Sequence, residues 1–346
     1  MRFGVIGLGS MGKRRVRDLL ALGHEVVGFD IRGDRAEQVQ EIFGVNTVRS
    51  FDSLANDGID ALVISTPPDQ HVDYYKHSFD ARLPFFSEAN IFTPKATWFE
   101  QREAESGVKS YPSATWQFYP LFGVLREQLR QIGLENVNSV HYHYGGYLPS
   151  WHPWESYEEF YAGRCRETGA AREMVAFEME WLCWVFGPVR SVCCVRDRRM
   201  DWSTDIDDTY LMLLEFETGL RGTLNVELHQ VSPFRTGRVS CRQHSFLLDM
   251  SAHELKRYEL ETDSWRFIKP SGVRSLGAFD FEQIYLAETR SFVDALENGS
   301  SYPKSWAEDR HLSNVLYASE LSWRRRAWVS IAEVENVYDG QTLNEE

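Results

Sequence analysis

The chain has 346 residues, 43% of them hydrophobic, with 37 Lys and Arg against 51 Asp and Glu for a formal net charge of −14. This length suffices for two domains with a sizeable core, while the acidic balance argues against a nucleic acid or an anionic membrane partner, both of which need a cationic footprint. No run approaches the ~18 apolar residues needed to span a bilayer, and the N-terminus enters an apolar run without a leader-like segment, so a cytoplasmic protein is expected. Cys165, Cys183, Cys193, Cys194 and Cys241 lack Cys-x-x-Cys spacing and read as small buried hydrophobes, with no metal expected.

In chain order, residues 3–6 form an apolar run suited to a buried strand, followed by Gly7, Gly9 and Gly12 in Gly-x-Gly-x-x-Gly spacing. Gly7 permits a tight turn, Gly9 lets a pyrophosphate approach the backbone, and Gly12 lets the next helix pack close to the sheet. Ser10 and Met11 then stand at a helix N-terminus, whose free N–H groups suit an anion. A second apolar run, 26–29, ends at Asp30. A carboxylate there accepts hydrogen bonds from the ribose hydroxyls of NAD and repels the 2′-phosphate of NADP. Ile31 offers nothing to that phosphate, but Arg32 and Arg35 can reach one, so NAD is favoured and NADP stays open.

Strand candidates at 61–65 and 85–87, separated by helical windows, complete a βαβ pattern for a parallel sheet over residues 1 to about 115. Ser65-Thr66-Pro67-Pro68 follows the third strand, where such a sheet meets its ligand, and the prolines stiffen the loop. A connecting helix is expected at 121–133. Longer β-like runs follow at 139–144, 209–217, 220–229 and 246–250, and helical spacing recurs at 168–186, 282–297 and 307–323. Eleven Trp and fifteen Tyr suit a carbohydrate site, an oligomer interface, or simple core packing.

These motifs, in this order, resemble the glucose-fructose oxidoreductase, inositol dehydrogenase and MocA family over nearly the whole chain. The glycine triplet and Asp30 match its cofactor strand pair, and Ser65-Thr66-Pro67-Pro68 with His71 matches its Thr-Pro-x-x-x-His loop. Residues 83–88 look like the run into its Glu-Lys-Pro motif, and residues 113–120 are similar to the opening of its second domain. Trp184-Val185-Phe186-Gly187 resembles its Trp-Leu-Phe-Gly helix end, Asp208-Thr209 its central hairpin start, and Glu308-Asp309 a late helix start.

The resemblance implies an α/β fold: a Rossmann dinucleotide-binding domain at 1–120, then an α+β domain at 121–346 with a large open, mainly antiparallel sheet. That second domain would bind substrate and mediate oligomerisation, as a homodimer or homotetramer, with the final helices free to pack back on the first. The implied cofactor set adds Ser65, Thr66, Pro67, His71, Glu88, Asn90 and Gln117. Two departures fall on catalytic positions. Glu88-Ala89-Asn90 lacks the family's lysine, with Lys95 the nearest substitute and a surface residue by pattern. Where the family presents Asp, His and Asp, this chain has Glu173, Phe177 and Glu180.

Residues 173, 177 and 180 stand at i, i+4 and i+7 and share a helix face. Glu173 is therefore the first candidate for the base that takes the hydroxyl proton as hydride leaves, unless Arg172 or Arg164 neutralises it. In residues 141–154, alternation sends His141 and His143 to one strand face and Tyr142 and Tyr144 to the other. The loop beyond carries Tyr147, Trp151, His152 and Trp154, suited equally to stacking on a polyol and to a subunit contact. His143 or His152 can supply the missing acid or base. Arg164, Arg166, Arg172 and Phe177 complete the candidate substrate contacts. The expected activity is NAD(P)-dependent hydride transfer at a carbinol carbon of a sugar, amino sugar or cyclic polyol. The rivals are a redox-neutral, NAD-retaining lyase or epimerase, an imine reductase, and a non-catalytic nucleotide-binding sensor or partner subunit.

Overall fold

The computed structural model describes residues 1–269 and 280–334. The first 118 residues alternate strands and helices: β1 (Arg2–Ile6), α1 (Ser10–Ala21), β2 (Glu25–Phe29), α2 (Gly33–Phe43), β3 (Asn46–Val48), α3 (Phe51–Ala55), β4 (Ala61–Ile64), α4 (His71–Asp80), β5 (Phe85–Ser87), α5 (Ala96–Ser106) and β6 (Ser110–Pro112). The strands form one sheet in the order β3-β2-β1-β4-β5-β6, and every pair in it is parallel. The order reverses beside β1, so the carboxyl ends of β1 and β4 open the crevice where such sheets take ligands. Both sheet faces are covered, which is why β1 and β4 read as continuous apolar runs rather than alternating ones. Val5 and Val63 belong to one core cluster, and Ile6, Leu62 and Ile64, with Tyr75 and Phe79 of α4, to the other. The short strands β3 and β6 were missed by pattern. Asn46-Thr47-Val48 and Ser110-Tyr111-Pro112 are edge strands with too little apolar sequence to mark them.

The second unit begins at Tyr119. It contains α6 (Pro120–Ile132), β7 (Val137–Tyr147), α7 (Tyr161–Arg164), α8 (Ala170–Phe186), β8 (Val189–Asp197), β9 (Thr209–Phe216), β10 (Arg221–Glu227), β11 (His229–Cys241), β12 (His244–Asp249), β13 (Glu254–Glu259), β14 (Ser264–Ile268) and β15 (Val329–Ser330). These strands form a nine-stranded sheet in the order β14-β13-β12-β11-β7-β10-β9-β8-β15. Only β7 with β10 is parallel, so the expected mainly antiparallel sheet is present. The alternation is as expected on β7: Tyr142 and Tyr144 are buried while His141 is exposed and His143 half-buried. Tyr142 meets Trp181 of α8 edge-on at 4.8 Å, and Trp181 stacks on Phe122 of α6 at 4.4 Å, so the helices cover the tyrosine face. The histidine face is open and leaves Val195 and Leu213 each 49% exposed.

α9 (Glu282–Asn298) belongs to the first unit, with residues 281–310 as a whole. Its Phe292 ring lies 5.9 Å from that of Phe3 and 5.5 Å from that of Phe86, and Arg14 and Arg17 of α1 both bind Glu282. Of the final helices that the resemblance leaves free to pack back on the first domain, α9 packs on it, because an amphipathic helix joins whichever apolar surface it covers, whatever its place in the chain. The last helix, α10 (Trp306–Arg325), belongs to the second unit from His311 onward. Among the described residues no helix is long and apolar enough to cross a membrane.

Candidate functional site

In the first unit the glycine loop has the geometry its spacing implies. Gly7 has φ +83° and donates its N–H to the Phe29 carbonyl at 2.8 Å, and a Cβ there would lie 2.6 Å from the Ser65 carbonyl oxygen. A Cβ on Gly12 would lie 1.8 Å from the Gly7 carbonyl oxygen, so no side chain fits. Gly9 differs. The nearest atom to its absent Cβ is the Arg35 guanidinium at 3.5 Å, an ordinary contact, so protein packing does not require glycine there and its smallness leaves the loop approachable. Gly9 caps α1 without a side-chain hydrogen bond, which leaves the first-turn N–H groups of Ser10, Met11 and Gly12 directed at that approach.

Asp30 accepts the Leu8 N–H at 2.7 Å on one oxygen and the Arg32 N–H at 2.8 Å on the other, so it braces the loop while each oxygen keeps a lone pair for a ribose hydroxyl. Ile31 beside it is 74% exposed. The Arg32 guanidinium turns away to Asp34 at 2.6 Å, so its expected place at a 2′-phosphate is not the one it takes.

At the end of β4, Thr66 and Pro67 lead into a 3₁₀ turn at Pro68–Gln70. His71 was expected among the cofactor contacts, and the structure corrects this. It is 1% exposed, its Nε2 meets the Thr66 carbonyl at 2.8 Å, and it therefore anchors the loop from beneath. Burial pulls its pKa from the ordinary 6.5 down to about 4, so the imidazole is neutral. Asn90 also needs correction: its amide donates to the Phe92 carbonyl at 2.7 Å and accepts the Phe92 N–H at 2.9 Å, which folds it onto its own loop. Lys95 is exposed, as its pattern suggested.

Glu88 is held by a residue that spacing did not single out. Arg15 of α1 grips both its oxygens, at 2.7 and 2.9 Å, and binds Glu288 of α9 at 2.6 Å. Ser65 donates to Glu88 at 3.1 Å. Burial alone would lower the Arg15 pKa, but the two carboxylates outweigh it and raise it well above its ordinary value. The one signal for Arg15 was an arginine in the α1 stretch behind the glycine triplet. Two buried side-chain oxygens on the same unit, Thr66 Oγ1 and Gln117 Oε1, have no hydrogen-bond partner. Thr66 follows β4 and Gln117 follows β6, so both stand on loops at the carboxyl end of the parallel sheet. Open N–H groups, a ribose-ready carboxylate and orphaned oxygens together suit a dinucleotide.

In the second unit, Glu173 is half-buried near the start of α8, and both its oxygens accept the Tyr161 hydroxyl, at 2.9 and 2.8 Å. Arg172 is tied to a different carboxylate. That side chain is 4% exposed and bound to Glu320 at 2.8 Å, so its expected substrate contact is corrected to a core ion pair. Arg164 is exposed at the end of α7, Arg166 binds Asp205 at 2.9 Å, and Phe177 is half-buried while Glu180 is buried. The three residues 173, 177 and 180 therefore differ in burial along their stripe.

His143 lies on the open sheet face with its Nε2 3.2 Å from Glu227, opposite the face that α8 covers, and so cannot share a site with Glu173. His152 binds Glu155 at 2.9 Å and stacks on Trp154, whose ring is 69% exposed. Trp151 donates to the Tyr144 hydroxyl, and Tyr147 is half-buried where β7 meets β11. Pattern also missed Glu178, which is fully buried and accepts the Tyr142 hydroxyl and Arg235, each at 2.8 Å. Burial, with the Glu178 charge, holds the Tyr142 hydroxyl well above its ordinary pKa. Among the described residues no group of three His, Cys, Asp or Glu could hold a metal ion.

A parallel Rossmann sheet with a forced glycine turn, a terminal acid on β2 and a second, largely antiparallel unit defines a two-unit, dinucleotide-binding α/β protein. Residues 1–105 match the oxidoreductase family of NAD-binding Rossmann fold, and residues 122–247 match the GFO/IDH/MocA C-terminal domain. The chain belongs to the Gfo/Idh/MocA oxidoreductase family, and its first domain is of that family's NAD-binding Rossmann fold. Among solved structures it is similar to levoglucosan dehydrogenase in complex with NADH and levoglucosan, at 15% identity and TM-score 0.80 over 96% of this chain and 99% of that one. It is similar to GenD2 from gentamicin A biosynthesis in complex with NAD, at 20% identity and TM-score 0.77 over 95% and 96%. An oxidoreductase from Agrobacterium radiobacter in complex with NAD+, L-tartaric acid and magnesium gives 13% identity and TM-score 0.78 over 96% and 99%. At these identities the likeness shows the fold. No curated protein matches the chain.

Proposed function

We propose that the protein oxidises or reduces a sugar, amino sugar or related cyclic polyol at a carbinol carbon. NAD supplies the hydride acceptor or donor. The observation that carries this reading is the half-buried Glu173 carboxylate, held on both oxygens by Tyr161, on a family fold that otherwise brings a dehydrogenase base. A carboxylate in this place accepts the hydroxyl proton, and Tyr161 keeps it in one orientation. Such a base contributes typically ~10²–10⁴ in rate. Support for the substrate class comes from neighbours whose complexes contain levoglucosan or tartaric acid. A homo-oligomer built on the open sheet face is part of the same reading.

A specific observation favours one rival. The positions of the family's lysine and histidine hold Ala89 and Phe177, neither of which has a proton to exchange. That arrangement suits a protein that binds NAD without turning it over. Native mass spectrometry of the purified protein, then turnover on a polyol and imine panel with Glu173→Gln alongside, separates the readings. A fall of ~10²-fold or more in Glu173→Gln supports the assigned base. Unchanged turnover removes it, and no turnover by the parent on any substrate favours the binding protein.

A further inference from the structure

Arg35 is the third residue of α2, in a helix first turn whose positive dipole end disfavours a cation. It is half-buried, and its guanidinium makes no hydrogen bond or ion pair to any described residue. Other cations of the β2–α2 connection and of α1 are tied to partners: Arg32 to Asp34 at 2.6 Å, Arg14 to Glu282 at 3.0 Å, and Lys13 to Gln38. Five N–H donors without a protein partner, at an unfavourable helix position, break a local rule without a compensating contact inside the protein.

The placement of that group resolves the conflict. Arg35 Nη1 lies 3.5 Å, and Cζ 3.9 Å, from where a Cβ on Gly9 would stand. The guanidinium therefore lies beside the middle glycine of the loop, which is the N-cap residue of α1. We infer that Arg35 is a clamp for the diphosphate of the dinucleotide, closing on it from α2 while the α1 N-terminus holds it from beneath. The first turn of α1 contains no acidic residue to compete for the guanidinium. A planar fork matches phosphate oxygens bidentately, which the α1 N–H groups alone do not do.

Asp30 accepts the Leu8 N–H at 2.7 Å, so the ribose acid stands close to Gly9, and a diphosphate contact is told from a 2′-phosphate contact by its effect on NAD and ADP. A diphosphate clamp strengthens NAD, NADP and ADP alike.

The inference rests on the nucleotide site and not on turnover, so its test is binding. Calorimetric titration of NAD, NADP, ADP and adenosine into the full chain, Arg35→Ala and Arg35→Gln would be done at two salt concentrations. The expected result is a roughly 10- to 100-fold loss for NAD, NADP and ADP in both variants, an unchanged NAD to NADP ratio, no change for adenosine, and a shallower salt dependence. A loss confined to NADP, or a change below about threefold for NAD, would overturn it. Since Arg35 has no partner to lose and stands where the helix dipole disfavours a cation, the variants should unfold at or slightly above the parent's denaturant midpoint, and a lowered midpoint would also count against the clamp. A protein that binds NAD through Arg35 but converts no polyol would sink the hydride-transfer reading and leave the clamp intact.

Discussion

Replacing Arg15 with Met should destabilise the protein by about 3–5 kcal/mol, the usual cost of removing one partner of a buried ion pair. The structure supports the upper part of that range. The guanidinium is 1% exposed and makes charge-assisted bonds to Glu88 at 2.7 and 2.9 Å and to Glu288 at 2.6 Å, with Thr289 at 3.1 Å. Its Cζ also lies 4.6 Å from the centroid of the Phe86 ring. Without it Glu288, fully buried, keeps only Ser113, Thr115 and the Ala114 N–H as donors. Because most of the cost is the stranded carboxylate, the double variant Arg15→Met/Glu288→Gln should be more stable than Arg15→Met alone by at least 1 kcal/mol. Urea unfolding of the four proteins of this cycle, followed by far-UV circular dichroism, measures both quantities. An Arg15→Met loss below about 1 kcal/mol, or a double variant no more stable than the single, would refute the argument.

The remaining predictions address the loop, the buried histidine and the second core. Gly12→Ala should abolish nucleotide binding measured by calorimetry, since its Cβ would lie 1.8 Å from the Gly7 carbonyl oxygen and only a displaced α1 relieves the overlap. His71, lowered by burial to about 4, should make stability fall as pH drops from 6.5 to 4, because only the unfolded chain takes up the proton there. The loss is about 3 kcal/mol at most, absent above pH 6.5 and complete below 4, and His71→Gln should flatten the urea-midpoint profile in that window. A variant with the parent's slope would show the proton is taken up elsewhere. Trp181→Ala should cost about 3–5 kcal/mol, since that ring is 1% exposed and stacked at 4.4 Å on Phe122; a urea midpoint near the parent's would mean the α6 and α8 packing is not anchored there.

Features governed by local rules were legible from residue order alone. The glycine turn, the apolar runs of β1, β2, β4 and β5, the alternation on β7 and the helical stripe of α8 each follow from backbone geometry or a short repeat, which neighbours along the chain suffice to set. The family motifs added the order of the units. The strands β3 and β6 escaped because three residues at a sheet edge become a strand only through their partner.

The electrostatic partners were decided by tertiary structure. Arg15 binds Glu88, 73 residues away, and Glu288, 273 away, while Arg172 passes its neighbour Glu173 and binds Glu320, 148 away. His71, a residue whose motif suggested contact with the cofactor, was turned inward by the same kind of packing. A charged or titratable side chain takes its role from its burial and from the nearest counter-charge. Both depend on which distant segments the fold brings together, and no local pattern encodes that. Residue order thus determined the nucleotide-binding framework and the types of residue along its rim, and the folded chain decided which of them point at a ligand.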